Sequence, residues 1–246
     1  MLNLLLTLEY DGFDYKGWIK QKNALTIQGE LEKAFFNVCQ INLWTLGASK
    51  TDAGVHACDQ KVLVKIPFQP KDLAFFIKTV SYSLPLNINI KNYTVVDENF
   101  NVRDTKEKEY IYTINDQDYD LLNHRYELQT KQQYDEKRLH TIAQIFVGEH
   151  DFAFFSGVKR DETIKTIRTI NAIDVVRDKN KKIKIHFKGK GFIRYQIRMI
   201  VQNILECYHG RITIATLQEQ LANPPVGKTT IFSAKPYGLC LAKIIY

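Results

Sequence analysis

Nowhere in its 246 residues does the sequence hold an apolar run close to the roughly 20 residues that a bilayer-spanning helix needs. The first residues, Met1-Leu2-Asn3-Leu4-Leu5-Leu6, lack a basic lead and a small-residue cleavage site. No signal peptide is therefore expected, and a cytoplasmic protein without membrane attachment is. The four cysteines, Cys39, Cys58, Cys207 and Cys240, show no paired spacing, which suits reduced thiols better than a disulfide frame or a zinc site. A deaminase-like His-x-Glu is missing beside His56 and Cys58, so a zinc hydrolase at that place is a poor reading. Linker-like composition is absent too, and no residue-level repeat is visible.

What is present is ordinary for a globular chain: 45% hydrophobic and 25% charged residues, enough to bury a proper core in one large or two small domains. The net charge of +7 and pI of about 9.1 favour a polyanionic partner, of which nucleic acid is the commonest. The tract Lys179-Asn180-Lys181-Lys182 reads more simply as a solvated hairpin tip.

Apolar periodicity predicts a strand over 2–10, then a helix capped by Thr26 with Ile27, Leu31, Ala34, Phe35 and Val38 on one face. Strands around 41–48 and 60–66, a helix near 71–84 and a strand near 87–96 complete a β-α-β-β-α-β order, a split βαβ unit. The second half repeats that order. It has a strand near 106–115, a helix from Asp135 to about Phe146, strands near 166–178 and 182–190, and a long helix from about Phe192 to Tyr208. A short added helix from Thr213 to about Leu221 precedes a last strand, Leu239–Tyr246. The expected division is 1–103 and 104–246, with the halves packed side by side or fused.

Between two of these strands lies Gly47-Ala48-Ser49-Lys50-Thr51-Asp52-Ala53-Gly54-Val55-His56-Ala57, which gathers an acid, a cation, a hydroxyl and an imidazole on a rigid mount. An Asp before Ala-Gly also suits a plain Asx-type turn, and locally that reading is the simpler one. In the predicted long helix Arg194, Arg198 and Gln202 recur at i, i+4 and i+8 and so share a face. Arginines hemmed in by apolar residues call for an anionic partner, though a solvated stripe fits equally. Tyr110, in its strand, suits cross-strand packing better than base stacking.

Together these stretches resemble the TruA family of tRNA pseudouridine synthases. The family's Gly-Arg-Thr-Asp-Ala-Gly-Val-His-Ala stands here as Ser49 to Ala57, with seven identical residues from Thr51. Glu9-Tyr10-Asp11-Gly12, Tyr15, Gly17-Trp18, Gln28, Phe100, Arg103, Tyr110-Ile111-Tyr112, Gly148 to Phe152, Phe192, Arg198 and Gly238 to Leu241 fit its other segments, so the resemblance covers nearly the whole chain. It implies an α+β fold of two split-βαβ, ferredoxin-like or RNA-recognition-like halves, with antiparallel sheets around a central positively charged cleft. It implies isomerisation of uridine to pseudouridine in the anticodon stem-loop, around positions 38–40 of tRNA. By the same resemblance Asp52 is catalytic, Tyr110 stacks on the target base, Arg198 pairs with the aspartate and Lys50 helps hold the flipped nucleotide. A homodimer acting on tRNA without metal or cofactor is expected. The runner-up is a non-catalytic binder of structured RNA with the same fold. Four positions depart from the family: Lys50 for arginine, Ser49 for glycine, Asn101 for histidine and Gln202 for glycine.

Overall fold

The computed structural model describes residues 1–158, 163–225, 227–230 and 232–246. In chain order the elements are β1 (Leu2–Tyr10), α1 (Ile27–Cys39), β2 (Thr45–Gly47), β3 (His56–Ile66), α2 (Leu73–Ser83), β4 (Ile88–Val95), β5 (Glu107–Asn115), β6 (Leu128–Gln129), α3 (Glu136–Ala143), β7 (Gly148–Asp151), β8 (Ile167–Arg177), β9 (Ile183–Gly189), α4 (Gln196–Tyr208), α5 (Ile214–Ala222) and β10 (Leu239–Ile245). The protein is a mixed α+β molecule of two compact units. The first holds Met1–Lys106 with Cys240–Tyr246, and the second holds Glu107–Leu239. Residues 240–246, assigned by sequence order to the second half, thus lie in the first unit. Among the described residues no helix is long and apolar enough to cross a membrane.

In the first unit β1 alternates as a half-buried strand should, with Leu4, Leu6, Leu8 and Tyr10 turned inward. It pairs antiparallel with β3 on one side, Leu4 opposite Val64 and Leu6 opposite Val62, and with β4 on the other. Both helices start at side-chain caps: Thr26 Oγ1 accepts the Gly29 amide, and the Asp72 carboxylate accepts the Phe75 amide. They bury Ile27, Leu31, Ala34 and Phe35 from α1, and Phe76, Ile77 and Val80 from α2.

The outer edge of β3 is shared. β2 pairs antiparallel with its far part, Thr45 opposite Val64 to Gly47 opposite Val62. β10 lies parallel to its beginning, with Cys240 opposite His56 and Leu241 opposite Ala57. Two expectations change here. β2 covers three residues rather than 41–48, because α1 ends with Gln40 in the left-handed conformation and the chain has yet to turn. β3 begins at His56 rather than residue 60, because its first residues have partners in two strands: His56 and Ala57 pair with β10, and Ala57 also pairs with Tyr10 of β1. The sheet is accordingly not wholly antiparallel. The last residues are tied down further: Ile244 N donates to Asp59 Oδ2 (2.8 Å), Lys106 N to Ile245 O (2.8 Å) and Tyr246 Oη to Val102 O (2.9 Å).

The second unit is built on the antiparallel order β5-β9-β8-β7, with β6 parallel to β5. Its core takes Tyr112 and Ile114 from β5, Ile183, Ile185 and Phe187 from β9, and Ile197, Ile200, Val201 and Ile204 from α4. The β8–β9 connection is the turn expected of the lysine tract: Asp178 Oδ1 accepts the amides of Asn180 and Lys182, and Lys181 has φ 61°. α4 starts four residues later than the apolar pattern implies. Tyr195 sits at φ 63°, outside helical space, and the Gln196 side chain turns back to accept the Ile193 amide at 2.9 Å. Arg194 therefore precedes the helix and does not share its face with Arg198.

The segment between β5 and α3 is anchored by a buried ion pair. Asp116, whose side chain is fully covered, receives two bonds from the Arg177 guanidinium (2.8 and 3.0 Å) and one from the Tyr134 amide (2.9 Å). Arg177 also donates to Tyr134 O and Glu136. Burial would raise the Asp116 carboxyl, but Arg177, the Tyr134 amide and Gln117 outweigh it and hold the pKa at about 2, below its ordinary 3.8. A depressed carboxyl stabilises the fold above its unfolded pKa and loses that contribution as pH falls through the folded one. The shift corresponds to about 2 kcal/mol. Asp116→Asn is expected to lower unfolding stability by about that amount above roughly pH 4 and to flatten the acid limb of a urea-unfolding series. An unchanged acid limb in the variant would show that another carboxylate controls it.

Candidate active site

The loop between β2 and β3, residues 48–55, is held by backbone contacts on nearly every side. Gln60, fully buried in β3, uses both ends of its amide on one residue: Oε1 accepts Ser49 N (3.1 Å) and Nε2 donates to Ser49 O (2.7 Å). Ala48 N donates to Lys61 O at 2.8 Å. Thr51 O accepts the Trp18 amide at 3.0 Å, and Thr51 Oγ1 lies 2.8 Å from the Tyr10 hydroxyl in a buried contact. Tyr10 in turn stacks on Trp18, centroids 6.4 Å apart. Val55 N closes a turn onto Asp52 O (3.2 Å), and Gly54 N reaches Tyr15 O (3.1 Å). Gly54 takes φ 77°, the left-handed value that glycine adopts without strain. Gly12 is needed for a different reason: a Cβ there would lie 1.9 Å from Val55 O.

Asp52 is therefore a turn residue on a backbone that is held on both sides of it. Its backbone closes the turn, while its side chain stays partly exposed between buried Thr51 and exposed Ala53. Lys50 is exposed on the same loop. Ser49, where the family has glycine, does not occupy positive φ, so the exchange costs no backbone strain. His56 is buried, and its Nδ1 meets both the Gly12 amide and Asp11 Oδ1 at 3.1 Å. The neutral ring accepts from the amide; the protonated ring donates to the carboxylate. In either state this nitrogen orders the Asp11–Gly12 turn. The Cys58 sulfur lies beside Cys240 (3.4 Å), so a His56–Cys58 nucleophile–base arrangement gains no support.

In the second unit Tyr110 stands opposite Phe187 and presents its ring edge-on to Phe192, centroids 5.4 Å apart. Tyr112, two residues on, is buried and donates its hydroxyl to Lys235 O at 2.9 Å. Burial drives that phenol far above its ordinary pKa, with the Arg198 charge opposing the rise. Arg198 is engaged twice with one residue: Nε donates to Ala234 O (2.8 Å), and its own carbonyl accepts Ala234 N (3.0 Å). Its guanidinium lies over the Tyr195 ring, 5.2 Å from the centroid. Arg194 donates to Gly157 O. Asp52 and Lys50 thus share a loop in the first unit, while Tyr110 and Arg198 both attach to the chain around the start of α4 in the second.

The remaining departures have plain local roles. Asn101 caps a turn by accepting Arg103 N, and Gln202 donates to Glu206 on the next turn of α4. Gln60 and the Tyr10–Thr51 pair escaped sequence reasoning. The available signal was a glutamine in line with Val62, Val64 and Ile66 on the inward face of its strand. Among the described residues no group of three or more His, Cys, Asp or Glu is placed to hold a metal ion.

A clamped acidic loop between strands, with tyrosine and arginine on a separate α+β unit, fits the pseudouridine synthase class. The family model described as tRNA pseudouridine synthase matches residues 142–246. Relatives match the full chain. tRNA pseudouridine synthase A of Spiroplasma kunkelii is 68% identical over 246 residues, covering 100% of this chain and 95% of that protein. The protein of that name from Mesoplasma florum is 46% identical over 253 residues, covering 100% and 99%. That of Ureaplasma parvum serovar 3 is 33% identical over 247 residues, covering both chains fully. The chain belongs to the tRNA pseudouridine synthase A family.

Gln60→Ala removes two buried hydrogen bonds and leaves the Ser49 amide and carbonyl without them. A loss of about 2–3 kcal/mol in chemical denaturation is expected. Gln60→Glu retains the acceptor for Ser49 N but, when ionised, sets a buried charge against Ser49 O, and at neutral pH should be destabilised at least as much as alanine in the same measurement.

Proposed function

We propose that this chain isomerises uridine to pseudouridine in tRNA, at uridines of the anticodon stem-loop around positions 38–40, with Asp52 as the catalytic carboxylate. The observation that carries the reading is the Asp52 loop. Its backbone is fixed by Gln60, Trp18 and Tyr15, and its Thr51 side chain by Tyr10, while Asp52 stays partly exposed, the pre-organisation that a group acting on a bound base requires.

The reaction breaks the N1–C1′ bond of uridine, turns the uracil and joins C5 to C1′. The C5 proton leaves, N1 gains a proton, and no electrons are exchanged. The chemistry calls for a nucleophile or base beside C1′ and C6, roles a carboxylate can fill. A guanidinium nearby keeps such an acid ionised when water is excluded, the task assigned to Arg198. Tyr110 offers a ring on which the flipped uracil stacks, worth about 1–3 kcal/mol. That gain offsets the few kcal/mol of unstacking the base. Lys50 carries the positive charge beside Asp52 and contacts the displaced nucleotide. Lysine keeps the family's charge at this position but lacks the planar two-pronged donor of arginine.

Further support comes from the net charge of +7, which suits contacts with a phosphate backbone. The working form is a homodimer in which each tRNA contacts both subunits, to be checked by sedimentation with and without tRNA.

Asp52→Ala is expected to lower tritium release from C5-labelled uridine in tRNA by at least about a thousandfold, some 4 kcal/mol at the barrier. It should erase the modification from treated tRNA. Turnover equal to wild type would leave a non-catalytic RNA-binding role. Lys50→Ala should reduce turnover by more than it weakens tRNA binding, since many other cations contact phosphate. Matched losses would make Lys50 an anchor only. The logarithm of the dissociation constant should rise linearly with that of salt concentration.

A further inference from the structure

Two thiols far apart in the sequence meet in the first unit. Cys58 of β3 and Cys240 of β10 are 182 positions apart, yet their sulfurs are 3.4 Å from one another. A break in the pairing of β1 with β3 accounts for this. Leu8 faces Gln60 and Tyr10 faces Ala57, so Cys58 and Asp59 together stand opposite Glu9. Such a bulge bends the strand and increases its twist. At this bend the Cys58 sulfur comes to lie beside β10, whose register sets Cys240 opposite His56. Cys58 is exposed and Cys240 half-buried. The other two cysteines differ: Cys207 is buried, and Cys39 donates to Phe35 O within its own helix. Neither Cys58 nor Cys240 has a part in the proposed tRNA chemistry.

We propose that Cys58 and Cys240 form a peroxide-sensitive dithiol, which closes to a disulfide and staples β10 to the beginning of β3. The Cys58 thiolate attacks one oxygen of a hydroperoxide; the O–O bond breaks, leaving a sulfenic acid on Cys58 and releasing hydroxide, or an alcohol from an organic peroxide. Cys240 sulfur then attacks Cys58 sulfur, the S–O bond breaks, and the oxygen leaves as water. Two thiols and one hydrogen peroxide give one disulfide and two waters. The sulfurs need approach by only about 1.4 Å to reach bonding distance, a movement within reach of side-chain rotation.

Cys58 is the attacking thiol. Its pKa is lowered to about 7, first by the hydrogen bond with Cys240, against burial, and then by the charge of Lys91; Glu9 and Asp59 oppose the change. Lys91 is held nearby by its bonds to Glu9 (3.1 Å) and to Cys58 O (3.3 Å). A thiol near neutrality that is open to solvent is the more reactive kind. The disulfide would reinforce a thin contact, since β10 has only two register pairs with β3.

The test treats the full chain with a few equivalents of hydrogen peroxide and maps the peptides without reduction, beside Cys58→Ser and Cys240→Ser. Expected in wild type are the loss of two of the four thiols, a Cys58–Cys240 linked peptide pair and full reversal by dithiothreitol. In Cys240→Ser, Cys58 should stop at a sulfenic acid that dimedone traps; in Cys58→Ser, Cys240 should remain a thiol. Amide exchange over residues 241–245 should slow about tenfold in the oxidised wild type and in neither variant. Cys58 recovered as sulfonate, linked to Cys39 or Cys207, cross-linked between chains, or unreacted would overturn the proposal. Unchanged exchange in the disulfide form would overturn the stapling role. None of these readouts depends on turnover, so the outcome is independent of the tRNA reading.

Discussion

Both polar ends of one buried amide, that of Gln60, are committed to the backbone of Ser49, and the placement of Asp52 follows from that commitment. A buried amide that loses its partners pays the desolvation cost of each end, so neither β3 nor the loop can shift without losing both bonds together. Trp18 and Tyr10 add a second hold two residues later, at Thr51, and Tyr15 a third at Gly54. All of these act on backbone atoms or on Thr51, not on the Asp52 carboxylate. The loop therefore tolerates Ser49 and Lys50 in place of the family's glycine and arginine, because the hold does not depend on those side chains.

The second unit uses a related device at the start of α4. Tyr195 breaks the helix before it begins, and Gln196 turns back onto Ile193. The segment before the helix is thereby free to carry Phe192 to the ring of Tyr110. Arg198, one turn inside the helix, is matched through both its carbonyl and its Nε to Ala234. An arginine fixed through two groups to one partner loses much of its rotational freedom before any ligand arrives. That lowers the entropy still to be lost on binding. Asp116 and Arg177 do comparable work for the segment leading into α3, though there the result is stability alone.

Elements whose signals are local were legible in the sequence. β1 showed in its apolar run, α1 in its apolar face and Thr26 cap, and α2 and α5 were placed to within a few residues, their caps Asp72 and Thr213 coming only with the structure. The acidic loop was legible too, because its chemistry lies in consecutive residues. What stayed hidden depended on partners remote in the chain. The partner of His56 at the early start of β3 is β10, and the placement of residues 240–246 in the first unit cannot be read from chain order. The late start of α4 turns on a single backbone angle at Tyr195, which apolar spacing does not report. Gln60 was expected only as the first residue of a strand over 60–66, and nothing in the chain order gave its partner at Ser49. The same holds for the two sulfurs, whose meeting depends on a bulge at one end and a parallel strand at the other.

The shared outer edge of β3 also fixes an order of events in time. As the chain emerges during synthesis, β1, β2, β3 and β4 are all available to pair within the first hundred or so residues. The outer edge at His56 and Ala57, next to the acidic loop, must wait for Cys240 and Leu241, although Ala57 already faces Tyr10 of β1 on its other side. Until then the nascent first unit has a sheet whose loop-bearing corner is open, and contacts this remote in sequence form late. A ribosome that stalls before residue 240 would release a chain whose first unit lacks the strand beside that loop. Completion of the corner thus reports that translation has passed through both units.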